Sequence, residues 1–409
     1  MTSANPEQTL AALLRREPVA WPAGGDPDAI ERFVAAARQH GVLPLADAAL
    51  ADTALAHNAL ADGTLADRAR ACGAIAGGWP REIVAACREA ALYGAMLELA
   101  SRAEVAKVLD ALAAAGAPAL VLKGAALAYR HYPSPVLRPR ADTDLLVAPE
   151  RRDAAADVLA ALGYSKGAGV EGEFVSYQAT WSRRTAHGAA SHVDLHWRIN
   201  NSQMLAKALT FVDLAARAVA LPELGPNARG PSDVDALLLA CIHRAGHANA
   251  PCYGDGVAHL GERAIWLCDI HLLFTRMSAS EQDEFAALAA AKRIRAICGD
   301  ALRRSAEWFA TPLPRRVMEV LDAPGPIEPS ARYLSGGRAR QMLGDFLAIE
   351  RWSDRGRWIR ETAFPSEAYM RGKYPESAGA WLPVLHARRL SSAIVKRMRR
   401  RGYPALLKG

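Results

Sequence analysis

The chain holds few of the features that would mark a disulfide scaffold, a zinc protein or a membrane protein. Its six cysteines, Cys72, Cys87, Cys241, Cys252, Cys268 and Cys298, are scattered over 409 residues with no CxxC spacing. That excludes a dense disulfide framework, argues against a structural zinc site and leaves buried thiols as the expectation. No apolar run approaches the ~18–20 residues that span a bilayer, and MTSANPEQTLAALLRREP holds no apolar leader, so a cytoplasmic location is expected. There is no GxSxG and no GxGxxG following a strand, which leaves a serine hydrolase or a dinucleotide oxidoreductase without its constellation. Aromatics amount to 7 %. Acidic residues stop at Glu376, whereas Arg388, Arg389, Lys396, Arg397, Arg399, Arg400, Arg401 and Lys408 follow. Such a tail suits an anionic partner (nucleic acid, a membrane surface or an acidic protein) or forms a solvated chain end.

What is present is an ordinary globular composition, 51 % apolar and 23 % charged, in a chain long enough for two or three structural units. Alanine dominates the apolar share and favours helices. Helical patterning runs from Pro27 to about Gly116, with the last stretch, 81–115, stopped by Gly116 and Pro118. A five-residue recurrence over Leu45–Arg68 (LADAA-LADTA-LAHNA-LADGT-LADRA) makes no single helical stripe and reads as Ala-rich helix. The pattern then changes: strand Ala119–Leu122, helix Ala125–His131, strand Asp142–Ala148, helix Glu150–Leu162, and two β-like runs, Phe174–Arg183 and Ser191–Ile199, joined as a hairpin. After Asn200 helices return. Trp352, Trp358, Phe364 and Tyr369 are expected as packing anchors of the C-terminal part. The expected fold class is α+β, a small mixed sheet flanked by extensive helical units. The expected divisions are 1–98 helical, 99–200 core, 201–310 helical domain, 311–385 C-terminal helical region and 386–409 basic tail.

The segment LVLKGAALAYRHYPSPVLRPRADTDLLV, Leu120–Val147, is the most informative. Side chains alternate along a strand, so Asp142 and Asp144 point the same way, and two carboxylates at i and i+2 make an all-oxygen site of the kind Mg²⁺ prefers. Gly124 stands before a helix N-terminus, where backbone N–H groups and the helix dipole commonly hold a phosphate. Lys123 adds a point charge. A metal site and a phosphate site about twenty residues apart point to phosphoryl or nucleotidyl transfer. In the downstream strand His192, Asp194 and His196 share one face, and Val193, Leu195 and Trp197 the other. His243 and His247, at i and i+4, lack the Glu of HExxH and are expected at a core or domain interface. Asp269, in the apolar stretch IWLCDIHLL, needs a partner if buried, an Arg or a His of the same helical unit, His243 being a candidate.

These residues resemble the nucleotidyltransferase superfamily to which DNA polymerase beta belongs, and within it a family of bacterial nucleotidyltransferase proteins. The likeness rests on Leu122-Lys123-Gly124, on Arg138 ahead of Asp142-x-Asp144-Leu145-Leu146-Val147, and on His192-Val193-Asp194-Leu195-His196-Trp197. A weaker likeness continues through His243-x-x-x-His247 and Trp266–Ile270 to Phe364-Pro365. The resemblance implies an Mg²⁺- or Mn²⁺-dependent enzyme that moves a nucleoside monophosphate from an NTP, ATP included, to an acceptor hydroxyl and releases pyrophosphate. The acceptor is open: a small molecule, a sugar, a protein or an RNA. Asp142, Asp144 and Asp194 would be catalytic and hold the metal, with Asp194 deprotonating the acceptor. Lys123, Gly124 and Arg138 would bind the nucleotide phosphates. His196, Arg140, His243 and Asp269 are candidates for contacts behind the ligands or with substrate, His196 by orienting Asp194. Ala125 stands where better-studied members have a hydroxyl. Replacing both Asp142 and Asp144 by Asn is expected to abolish transfer with little change in melting temperature. The alternatives are an RNA-modifying, toxin-like nucleotidyltransferase acting on tRNA, and a non-catalytic nucleotide-binding scaffold of the same fold.

Overall fold

Strand Thr143–Leu146 (β2) lies parallel to Ala190–His196 (β5), and their register pairs Asp144 with Asp194 and Leu145 with Leu195. That pairing organises the molecule. The computed structural model describes residues 5–22, 26–59, 78–170, 172–184, 188, 190–248, 252–254, 257–259, 261–377 and 379–401. A seven-stranded mixed sheet has the order β3-β4-β5-β2-β1-β7-β6, where β1 is Leu120–Val121, β3 Ser165–Lys166, β4 Gln178–Arg184, β6 Val219–Ala220 and β7 Arg229–Gly230. Strands β4 and β5 form the expected antiparallel hairpin, with Thr180 opposite Asp194. Strands β6 and β7, two residues each, extend the sheet beyond the expected ones; ladders that short carry no alternation that a sequence could display.

One face of the sheet is apolar. Val121, Leu145, Trp181, Val193 and Leu195 pack there with Val105, Val108, Leu109 and Leu112 of helix α4 (Arg81–Ala114) and with Leu159. The preceding helices are α1 (Pro6–Leu14), α2 (Pro27–Gln39) and α3 (Leu43–Ala59). The opposite face carries the acidic residues at one end, while Leu120, Leu122 and Leu146 join a second, larger core. That core is built from α1–α3, from α5 (Lys123–Arg130), and from α8 (Asp233–Ala248), α9 (Ala264–Arg276), α10 (Ala279–Ala291) and α11 (Arg295–Phe309), with α6 (Arg152–Ala161) and α7 (Phe211–Ala216) intervening in the chain. The architecture is α+β, as expected. Six further helices follow: α12 (Arg315–Leu321), α13 (Pro329–Ser335), α14 (Arg338–Ala348), α15 (Trp352–Ala363), α16 (Glu367–Lys373) and α17 (Leu382–Arg401).

Several details differ from expectation. Helix α5 begins at Lys123, two residues early, because Lys123 itself takes a left-handed φ of 49° and turns the chain directly out of β1. Trp358 packs on Phe346, but Trp352 and Phe364 are largely exposed rather than anchors. Cys87, Cys241, Cys268 and Cys298 are buried free thiols; Cys72 and the end of the five-residue recurrence lie outside the described residues. Among those residues, no helix is long and apolar enough to cross a membrane.

Candidate active site

The parallel register of β2 and β5 sets Asp144 and Asp194 side by side, and alternation along β5 adds His196 two residues on. Ligand atoms of Asp144, Asp194 and His196 all lie within 4.8 Å of one another. Beneath them Val193 and Leu195 are buried, so packing fixes the face the acids occupy. Trp197, expected with the core, is only half-buried and carries the Arg152 guanidinium over its ring at 5.4 Å.

Oδ1 of Asp144 accepts two hydrogen bonds, from Lys123 Nζ at 2.6 Å and from His196 Nε2 at 2.8 Å. Burial alone would raise the Asp144 carboxyl, but Lys123 and then His196 outweigh it and hold Asp144 well below the usual carboxylate range. Burial likewise opposes the charge on Lys123, and Asp144, followed by Asp142 and Asp194, raises its ammonium above the ordinary value. His196 therefore orients Asp144, not Asp194 as expected; β5 and β2 are direct neighbours, and the ring reaches across the pair. Asp142, one residue ahead of β2, is exposed and lies outside the close cluster. Desolvation by the surrounding protein, and then the charges of Asp144 and Asp194, push its carboxyl upward. It borders a cavity with Leu97, Ser101, Ser191 and His192.

The left-handed φ of Lys123, unfavourable for a residue with a Cβ by about 1 kcal/mol, is what aims the ammonium back at β2. Gly124 follows, buried, and a Cβ there would stand 3.5 Å from the Arg138 guanidinium. Arg138 is held by another carboxylate. Its Nε and Nη2 donate to Oδ1 and Oδ2 of Asp269, each at 2.8 Å, and Tyr132 donates its hydroxyl to Oδ1 at 2.7 Å. All three side chains are buried. Asp269 thus has an arginine partner, supplied by the loop before β2 and not by the helical unit to which the candidate His243 belongs. Arg140 donates to Glu98 of α4 at 2.8 Å, and Glu98 also accepts from Tyr129. His243 and His247 lie against each other with ring centroids 4.4 Å apart and planes tilted by 51°, each ring against Trp266 at 5.4 and 5.7 Å. Desolvation, followed by Lys123, pushes both imidazoles downward, favouring the neutral form. His243, Trp266, Asp269, Arg138 and Lys123 line a small cavity between the sheet and the helical unit. Tyr132 and Glu98 were not foreseen; each acts on a residue distant in sequence, and no local pattern announces such a pairing.

Two adjacent carboxylates on a mixed sheet, backed by an imidazole and faced by the lysine at the head of α5, make the arrangement expected of a nucleotidyltransferase. Residues 26–310 match the family described as Uncharacterised nucleotidyltransferase, so the chain belongs to that family and is a transferase of this kind. No curated protein matches the chain. A divalent ion is what this class uses. The adjacent carboxylates of Asp144 and Asp194 fit one, since their oxygens converge within 4.8 Å and hard divalent ions take oxygen donors, while His196 hydrogen-bonds Asp144 from behind.

Proposed function

We propose that this nucleotidyltransferase moves a nucleoside monophosphate from an NTP to a hydroxyl of its acceptor and releases pyrophosphate. The observation that carries the reading is the adjacency of Asp144 and Asp194, with Lys123 Nζ 2.6 Å from the former at the start of α5. Asp142, Asp144 and Asp194 would hold Mg²⁺ or Mn²⁺, which when bound supplies charge neutralisation for the triphosphate and acidifies the acceptor hydroxyl. Asp194 takes the hydroxyl proton as the acceptor oxygen bonds to the α-phosphorus. The bond from that phosphorus to the bridging oxygen breaks, and pyrophosphate leaves with the electron pair. Lys123 serves the triphosphate as a point charge, and the first N–H groups of α5 donate to phosphate oxygens. His196 keeps Asp144 in one orientation. Arg138, committed to Asp269, ties the core to the helical domain and sets the wall of the adjoining cavity. Catalysis is assigned to residues 99–200, and the acceptor cleft to the helical units on either side.

Calorimetric titration with ATP, GTP, CTP and UTP, each with and without Mg²⁺, tests this on the wild type and on Asp142→Asn/Asp144→Asn. Metal-dependent binding that disappears in the variant is expected. Binding that survives in the variant, or none with any nucleotide, refutes the reading.

A further inference from the structure

The net positive charge of this protein comes from a segment outside the matched family unit. Residues 338–409 hold 16 Lys and Arg against 6 Asp and Glu, a net +10, so residues 1–337 carry a net −3. The same segment also exposes large apolar side chains. Among the described residues, 9 of the 18 exposed large hydrophobic side chains lie between Met342 and Leu390. Helix α15 orders them most clearly: Trp352, 75 % exposed, and Ile359, 51 % exposed, are seven residues apart with Gly356 between them, which makes one stripe. Arg360 and Arg357 are exposed beside that stripe. On α14, Leu343 and Leu347 are exposed four residues apart, with Arg340 three residues before Leu343.

The orientation of these helices is fixed from behind. Phe346 packs on Trp358, Glu361 accepts from the backbone N–H groups of Glu173 and Phe174 at 3.0 Å, and Asp345 accepts from Tyr333 and Ser202 at 2.9 and 3.0 Å. The inner faces are therefore occupied, and the stripes are left outward.

We propose that this C-terminal face docks on an anionic phospholipid bilayer, with Trp352, Ile359, Leu343 and Leu347 entering the interface and the arginines meeting lipid phosphates. Three occupants can be weighed by their chemistry. A second copy would bring the exposed Arg340 and Arg360 against their own counterparts, and like charges oppose that contact. A single-stranded RNA would satisfy the arginines and stack on Trp352, but it offers nothing to leucine and isoleucine. Six of the nine exposed residues, Met342, Leu343, Leu347, Ile359, Val384 and Leu390, are aliphatic. A lipid surface takes both aliphatic side chains and cationic ones, the former at the acyl boundary and the latter among the headgroups.

The test is co-sedimentation of the full chain with phosphatidylcholine vesicles, with or without phosphatidylserine, at low and high salt. Binding to the serine lipid alone, weakened by salt, is expected. Trp352→Ser with Ile359→Ser should weaken it at least tenfold, as should Arg340→Gln with Arg360→Gln. All four positions are on the surface, so the melting temperature should not move. Absence of vesicle binding, or binding untouched by the Trp352/Ile359 variant, overturns the proposal. So does high-affinity binding of a poly(U) oligonucleotide without vesicle binding, and so does self-association that the same variant abolishes.

Discussion

Lys123 Nζ lies 2.6 Å from Asp144 Oδ1, so the side chain assigned to the triphosphate is bonded to the carboxylate assigned to the metal. An ammonium on that oxygen competes with any cation that approaches it, and it leaves the oxygen when it turns to a phosphate. Lys123→Met is expected to have two opposite effects. Affinity for Mn²⁺ without nucleotide should rise, because the competing charge is gone. Nucleotide affinity should fall, and transfer should drop by about 10²–10³-fold, as for the loss of one donor that stabilises developing charge. Manganese titration by electron paramagnetic resonance and a pyrophosphate-release assay read the two. Unchanged or weaker Mn²⁺ affinity would refute the competition.

The same bond separates the two carboxylates of β2 in stability. Asp144→Asn takes from the partly buried Lys123 ammonium its hydrogen-bonded counter-charge and leaves only Asp142 and Asp194 further off, a loss of about 1–3 kcal/mol. Asp142→Asn has the opposite sign, because it removes a carboxyl that desolvation and the neighbouring acids already push upward. The earlier expectation that the double variant melts like the wild type therefore conceals two opposed effects. Thermal melting of the two single variants in a chelating buffer should show Asp144→Asn lower than wild type and Asp142→Asn equal or higher. Both should be inactive.

What could be read from residues alone follows from locality. The hairpin, the shared face of Asp194 and His196 and the α+β class were legible because strand alternation is a local signal, and Val193 and Leu195 are buried as that signal required. The partners were not. Asp269 meets Arg138 across 131 residues of chain, and Arg140 meets Glu98 across 42. Nor did any residue preference announce that Lys123, rather than Gly124, would take the left-handed turn. The exposed tryptophan and phenylalanine of the C-terminal helices were misread because an aromatic residue in a helix is more often buried.

The Arg138–Asp269 pair gives a prediction that distinguishes a tie from a phosphate ligand. Either Arg138→Met or Asp269→Leu alone should destabilise by about 3–5 kcal/mol, since each strands a buried charge. The double variant, with both charges gone, should recover most of that loss and keep nucleotide affinity within a few-fold of wild type. A double-mutant cycle in urea gives the coupling, and calorimetry the nucleotide affinity. If the double variant is stable yet binds no nucleotide, Arg138 contacts the phosphates after all.

Acid stability should be set in part by Asp233, the first residue of α8. Its Oδ1 accepts from Arg130 Nε at 2.6 Å and lies 3.5 Å from His131 Nε2, joining the end of α5 to the helical domain. Burial would raise this carboxyl, but His131 and Arg130 outweigh it and bring it from 3.8 down to about 2. A depressed carboxylate binds fewer protons in the folded state than in the unfolded chain, so its contribution is complete well above pH 3.8 and fades as the pH falls towards 2. Asp233→Asn keeps a residue suited to a helix start while deleting the charge. The variant should be less stable than wild type by about 1–2 kcal/mol at neutral pH, and the two should converge in acid. Urea midpoints measured at neutral and acid pH decide it; a constant gap across the range would mean that Asp233 acts by shape and not by charge.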